Sequence, residues 1–343
     1  MVTKRDFGYT KRGESVECYR ITDTDGSYAE IMTYGAALRA LCVPDRDGRP
    51  VDVILGYDTV EEYETKGGFL GATVGRFANR IGKGRFTLNG VTYQIAKTDG
   101  ENVCHGGLVG FDKRIFRATE GENEVTFTRL SPDMEENFPG NLILAVTFRF
   151  AEHTLTITYR ALTDRDTVIN FTNHAYFNLA GEGDILDEIL TVNAEKFAEN
   201  DVHCLPTGRL LDVAGTAFDF RAGKAIGTDI ESDEEQIQWF HGYDHNFGVG
   251  EAGVLKQVAT LVSPKNGIVM TTSTTQPGMQ VYTSNGMTGR KTGKGRAFCN
   301  HAAVCLETQG YPDAPNRENF PSAVLRAGEP YESVTRYAFG IAE

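Results

Sequence analysis

A period-two alternation of apolar and polar residues constrains this chain more than any other feature. Val146-Thr147-Phe148-Arg149-Phe150 and Leu155-Thr156-Ile157-Thr158-Tyr159 both show it, with residues 151–154 between them. Successive side chains of a strand point to opposite faces, so the pattern predicts a hairpin in a half-buried sheet. Phe86-Thr87-Leu88 and Val91-Thr92-Tyr93 flank Asn89-Gly90, a dipeptide that accepts positive φ at both central positions of a type I′ turn. Asn266-Gly267 repeats the signal ahead of Ile268-Val269-Met270. Further strand-like runs cover 16–21, 51–55, 125–128, 168–171, 280–283 and 302–306, while helical periodicity is confined to a short turn around 59–64. Many strands, 38 glycines and few helices predict an all-β fold, a large antiparallel β-sandwich. No repeat of fixed period, low-complexity linker or composition break divides it, so residues 1–343 are expected to form a single domain.

Composition narrows the functional classes. At 343 residues with 40% hydrophobic and 24% charged side chains, the chain can bury a sizeable core without staples. The net charge of −13 repels phosphate backbones, which makes nucleic acid an unsuitable partner. The acidic run 229–235 reads as a solvated loop. No stretch approaches the roughly 18 apolar residues of a membrane helix, and Met1 leads directly into polar sequence, so no membrane association and a cytoplasmic location are expected. The six cysteines (18, 42, 104, 204, 299 and 305) lack C-x-x-C spacing and are expected to be free thiols, mostly buried.

The chemistry concentrates in Asn173-His174-Ala175-Tyr176-Phe177-Asn178-Leu179, which packs an imidazole, amides and aromatic rings into seven residues. Histidine gives and takes protons near neutral pH, and aromatic rings between amides suit a sugar cleft. Four other patches accompany it: Gly75-Arg76-Phe77-Ala78-Asn79-Arg80-Ile81, His105-Gly106-Gly107, Tyr243-Asp244-His245-Asn246-Phe247 and Leu306-Glu307-Thr308-Gln309. In this order, from Arg76 towards the end of the chain, the set resembles the aldose 1-epimerase (galactose mutarotase) family. The family pattern continues after Glu-Thr-Gln with His or Asn and then Phe, where this chain has Gly310-Tyr311, a departure that bears on sugar selectivity.

The resemblance implies a sandwich with an open cleft, and anomer interconversion of a free hexose, D-galactose or D-glucose, with no cofactor and no metal. It implies that Glu307 takes the proton from the C1 hydroxyl and His174 protonates the ring oxygen, the roles reversing on closure. Glu307 follows the apolar run Ala302-Ala303-Val304-Cys305-Leu306, and partial desolvation there would raise its pKa. Substrate binding falls by resemblance to His105, Asp244, Arg76 and Asn79, with Arg80 left structural. The glycines after His105 would let backbone and ligand approach closely. An ionised Asp244 could accept from two vicinal hydroxyls, and Arg76 would offer fixed donors.

Tyr176, Phe177 and Trp239 could stack on a pyranose, although core packing suits at least two of them. His153, His203, His241 and His301 sit in no motif, and strand alternation turns His245 away from Asp244. Three rival readings use the same residue types. A metal site would need spacings such as H-x-H or H-E-x-x-H, which are missing here. A glycoside hydrolase would pair two carboxylates, and a phosphosugar epimerase of the same fold would cluster Arg or Lys around its cleft. A non-catalytic carbohydrate-binding protein stays open from another class. The oligomeric state is not legible.

Overall fold

The computed structural model describes residues 1–287 and 294–342. Its three large sheets are antiparallel: one of nine strands and two of five. The hairpin read from alternation lies within the nine-stranded sheet, where Leu142–Ala151 pairs with Thr154–Thr163 and Val146 faces Tyr159. Leu144, Val146, Phe148 and Phe150 are fully buried, whereas Ile143 on the other face is 53% exposed. The reversal takes two residues rather than four. Glu152 and His153 sit at φ 52° and 53°, a double left-handed turn whose twist matches the strands and lets Ala151 pair with Thr154.

Asn89 and Gly90, at φ 51° and 78°, make the expected turn between Arg85–Leu88 and Val91–Gln94. The helical turn is Val60–Lys66, opened by a capping box in which Thr59 and Glu62 exchange hydrogen bonds. A second helix, Glu235–Phe240, emerges from the acidic run that reads as a loop. Six residues are too few for a 3.6-residue period to register. Val51–Leu55 and Val168–Phe171 shorten to Pro50–Asp52 and Thr167–Val168, with single bridges beyond them.

One apolar cluster runs from Tyr19 to Tyr337 and draws on all three large sheets. All six cysteines are unpaired, four of them buried. No helix among the described residues is long and apolar enough to cross a membrane.

The second five-stranded sheet positions the chemistry. Its order is Pro206–Asp212, Lys196–Asn200, Asp244–Gly248, Gly278–Tyr282 and Cys305–Gln309. Asp244 is paired with Tyr282 and Tyr282 with Cys305, while Asn246 is paired with Gln280 and Gln280 with Glu307. These two rows lie two residues apart and therefore share one face. The opposite face carries His245, Val281 and Leu306 into the core.

Candidate active site

A cleft of about 290 Å³ opens over that face, lined among others by Asn79, Arg80, His105, His174, Asp244 and Glu307. His174 follows Thr172–Asn173, a short strand pinned to Thr73–Val74, and its backbone N–H donates to the Ala72 carbonyl. Glu307 comes from the sheet. Their side chains meet with His174 Nε2 3.7 Å from Glu307 Oε1, and both are almost fully buried. Burial pulls the His174 imidazole down to about 4, against a hydrogen bond to its own backbone that favours the charged form. Burial, with the Asp244 charge adding to it, pushes the Glu307 carboxyl well above the usual range. Glu307 Oε2 has no hydrogen-bond partner among the described residues.

His105 stands beside His174, ring centroids 5.2 Å apart. It occupies a left-handed conformation, φ 56°, followed by Gly106 and Gly107 at φ 88° and 113°. A Cβ on Gly106 would lie 2.1 Å from the Gly75 carbonyl oxygen. That glycine therefore serves a close approach of backbone to backbone, not of backbone to ligand. The Asn79 N–H donates to His105 Nδ1 at 3.2 Å. Burial, reinforced by His174, holds the His105 imidazole neutral, so its proton sits on Nε2 and that nitrogen is a donor.

Asp244 is held from several sides. Its Oδ1 accepts from Gln280 Nε2 at 2.7 Å, its Oδ2 accepts from Cys204 Sγ at 3.3 Å, and Arg80 Nη1 lies 3.7 Å from Oδ2. Arg80 also donates through Nε to Asp99 Oδ2 at 2.7 Å. Aromatic rings wall the cleft: Tyr176 stacks on His174 at 4.9 Å, and Phe69 lies 4.6 Å from the His105 ring.

Five of the six expected residues therefore converge. Arg76 does not, and this corrects the reading from sequence. Its guanidinium is 2% exposed and turned into the protein, donating to the carbonyls of Pro139 (2.7 Å), Gly140 (2.9 Å) and Ser131 (3.2 Å) and to Ser131 Oγ. Arg80, read as structural, is the arginine among the described lining residues of the cleft. Gln280 and Tyr282 stand in no motif, although alternation from Asp244 across the sheet places them on its face. Phe69, at φ 55° after two glycines, left no trace in the sequence pattern. Tyr176 lines the cleft, Phe177 is core, and Trp239 sits on the short second helix. His153, His203, His241, His245 and His301 are not among the lining residues. Gly310 and Tyr311 also lie off the cleft: the first hydrogen-bonds Asn170 and the second packs on Phe320.

His105, His174 and Glu307 bring possible ligand atoms within 4.8 Å of one another. With the Nδ1 lone pair of His105 occupied by the Asn79 amide, its Nε2 presents a proton rather than a lone pair. The trio is suited to hydrogen bonding and proton transfer more than to three-point coordination. A second grouping, Asp23, Asp25 and His153, joins two surface turns and shares no residue with the cleft.

A β-sandwich with a buried imidazole and carboxyl at the floor of a polar, aromatic-walled cleft defines a carbohydrate-active protein equipped for acid/base chemistry. The family model for aldose 1-epimerase matches residues 17–338, and the chain belongs to that family. It is 40% identical to the galactose mutarotase of Bos taurus over 99% of both chains. It is 35% identical to the aldose 1-epimerase of Escherichia coli, covering 95% of this chain and 96% of that one. Among solved structures, the aldose epimerase homologue from C. elegans superposes with a TM-score of 0.88 at 29% identity, over 94% of this chain and 98% of that one. The galactose 1-epimerase from Lactobacillus acidophilus gives 0.86 at 28%, over 100% and 99%.

Proposed function

We propose that this protein interconverts the α and β anomers of a free hexose, D-galactose or D-glucose, by acid/base opening of the pyranose ring. The observation that carries the reading is the His174 Nε2 to Glu307 Oε1 approach of 3.7 Å at the cleft floor, with the two pKa values displaced in opposite directions. Ring opening needs a proton removed from the C1 hydroxyl while another reaches the ring oxygen. Between the loading of a second proton at low pH and the loss of the last one at high pH, the pair holds one proton. Burial leaves that proton on Glu307 when the cleft is empty, since an ion pair there is costly. Sugar hydroxyls entering the cleft supply hydrogen bonds that favour the charged arrangement, Glu307 ionised and His174 protonated.

From that arrangement Glu307 accepts the C1 hydroxyl proton and His174 delivers its own to the ring oxygen. The C1 to ring-oxygen bond breaks, the aldehyde turns about the C1 to C2 bond, and closure on the other face runs both transfers backwards. His105 Nε2 donates to a sugar oxygen near the reacting centre. Asp244, fixed by Gln280, accepts from sugar hydroxyls, and Arg80 and Asn79 complete the polar wall, with Arg80 in the part that the resemblance gives to Arg76. A neutral sugar suits the charge balance. Arg80 is the one cation among the described lining residues, and Asp99 and Asp244 already offset it. Among the described lining residues no positive charge is left over for a phosphosugar.

The test is a polarimeter trace of freshly dissolved α-D-galactose and α-D-glucose. Mutarotation is expected to accelerate in proportion to protein and to fall to the spontaneous rate with Glu307→Gln. A trace unchanged by the wild-type protein for both sugars would overturn the reading.

A further inference from the structure

Strand Cys305–Gln309 places two side chains on the same imidazole. Cys305 and Glu307 are two residues apart and project to the same face. Cys305 Sγ lies 3.5 Å from His174 Nδ1, and Glu307 Oε1 lies 3.7 Å from Nε2. One strand thus addresses both nitrogens of the ring. Stacking on Tyr176, 20° from parallel, and the Tyr282 and His105 rings set edge-on restrict the plane in which it does so.

We propose that Cys305 is a positioning residue that accepts the His174 Nδ1–H on its sulfur and thereby keeps Nε2 as the nitrogen that exchanges protons with Glu307 and the sugar. The inference rests on His174 acting as the acid of the proposed mechanism. The alternative tautomer would turn an Nε2–H towards Glu307 Oε1, make Cys305 the donor to Nδ1, and force the carboxyl proton of the empty cleft onto Oε2. Oε2 has no hydrogen-bond partner among the described residues, so an O–H there would be buried unpaired. With the proton on Nδ1, the Nε2 lone pair faces the carboxyl O–H, and the shared proton can cross without a ring flip.

The choice of sulfur matters. In a serine-protease triad the corresponding nitrogen meets an aspartate, which stabilises the imidazolium. A buried thiol keeps its own proton and is only a weak acceptor, so it orients the ring while adding little to imidazolium stability. The result is a readily discharged acid, which is what protonating an ether-like ring oxygen requires.

Nitrogen-15 NMR of histidine-labelled protein near pH 7 tests this, with the His174 signals assigned by their loss in His174→Asn. The wild type is expected to show His174 protonated at Nδ1 and unprotonated at Nε2. Cys305→Ala should populate the other tautomer and lower kcat by about 3- to 10-fold, the worth of one ordinary hydrogen bond, with KM changed by less than about twofold. Cys305→Ser, which restores an acceptor, should recover the wild-type tautomer and most of kcat. A wild-type spectrum with the proton on Nε2 overturns the proposal, and it can be read even if Cys305→Ala folds poorly. Unchanged tautomer and kcat in a folded Cys305→Ala, or a rise in KM alone, overturn it too. If His174→Asn kept normal kcat, the acid assignment would fail while the tautomer result stood, so the two failures can be told apart.

Discussion

Replacing Glu307 by glutamine should destroy catalysis and, at neutral pH, relieve the fold of a burden. The amide keeps the shape of the protonated carboxyl that the empty cleft holds, but it cannot take a proton, so kcat should fall by about 10²- to 10⁴-fold. Stability should move the other way with rising pH. Glu307 has a folded-state pKa raised by burial, so its contribution is fully present below the unfolded carboxyl pKa and is lost as pH rises towards the folded one. While the folded carboxyl stays protonated and the unfolded one is ionised, each pH unit costs the wild type about 1.4 kcal/mol. From about pH 5 to about pH 7 that is at most about 3 kcal/mol, a loss the glutamine variant should not share. Any fixed cost of the amide, whose second N–H needs a partner, is the same at both pH values and cancels in the comparison. Urea unfolding of both proteins at the two pH values reads the difference, and coupled-dehydrogenase initial rates read kcat. Parallel stability changes in the two proteins would refute the buried-neutral-carboxyl argument, and a kcat above about a tenth of wild type would remove Glu307 from the chemistry.

His174→Asn should chiefly lower kcat, whereas Asp244→Ala should raise KM and lower kcat by a smaller factor, because the anchor is used in ground and transition states alike; initial rates over a wide sugar range separate the two. Arg80→Ala should raise KM by at least about 10-fold through lost charged hydrogen bonds while the protein stays folded. Arg76→Met, which leaves the Ser131, Pro139 and Gly140 carbonyls unpaired, should instead lower the thermal midpoint and leave the KM of the folded fraction unchanged. His245, fully buried with its pKa pulled down to about 3 by burial, contributes stability that is present above the unfolded pKa and lost as pH falls. Between about pH 6.5 and about pH 4.5 that loss is about 2 kcal/mol. In His245→Asn, which can still accept the Asp244 N–H, urea midpoints should show a smaller acid-side decline than wild type.

What was legible in the sequence follows from the distances over which its signals act. Alternation and Asn-Gly turns are local, and they located the central hairpin and the Arg85–Leu88 to Val91–Gln94 pair. The same alternation turned His245 to the core and, carried across the sheet, would have placed Gln280 beside Asp244 and Glu307. Arg76 and Arg80 show where local signals stop. Both stand in one seven-residue motif and both offer the same guanidinium. What separates them is a set of carbonyls at 131–140, more than fifty positions away, which encloses Arg76. Arg80, four residues on, meets Asp99 and Asp244 instead. A buried arginine needs several fixed acceptors to offset its desolvation, whereas one in a polar cleft needs partners that still leave donors for a ligand. That distinction belongs to the loop the chain folds against, and neither arginine's immediate neighbours encode it. The Gly310-Tyr311 departure teaches the converse: although adjacent to the Glu307 strand, both residues face away from the cleft, so nearness in sequence to the base confers no contact with the sugar.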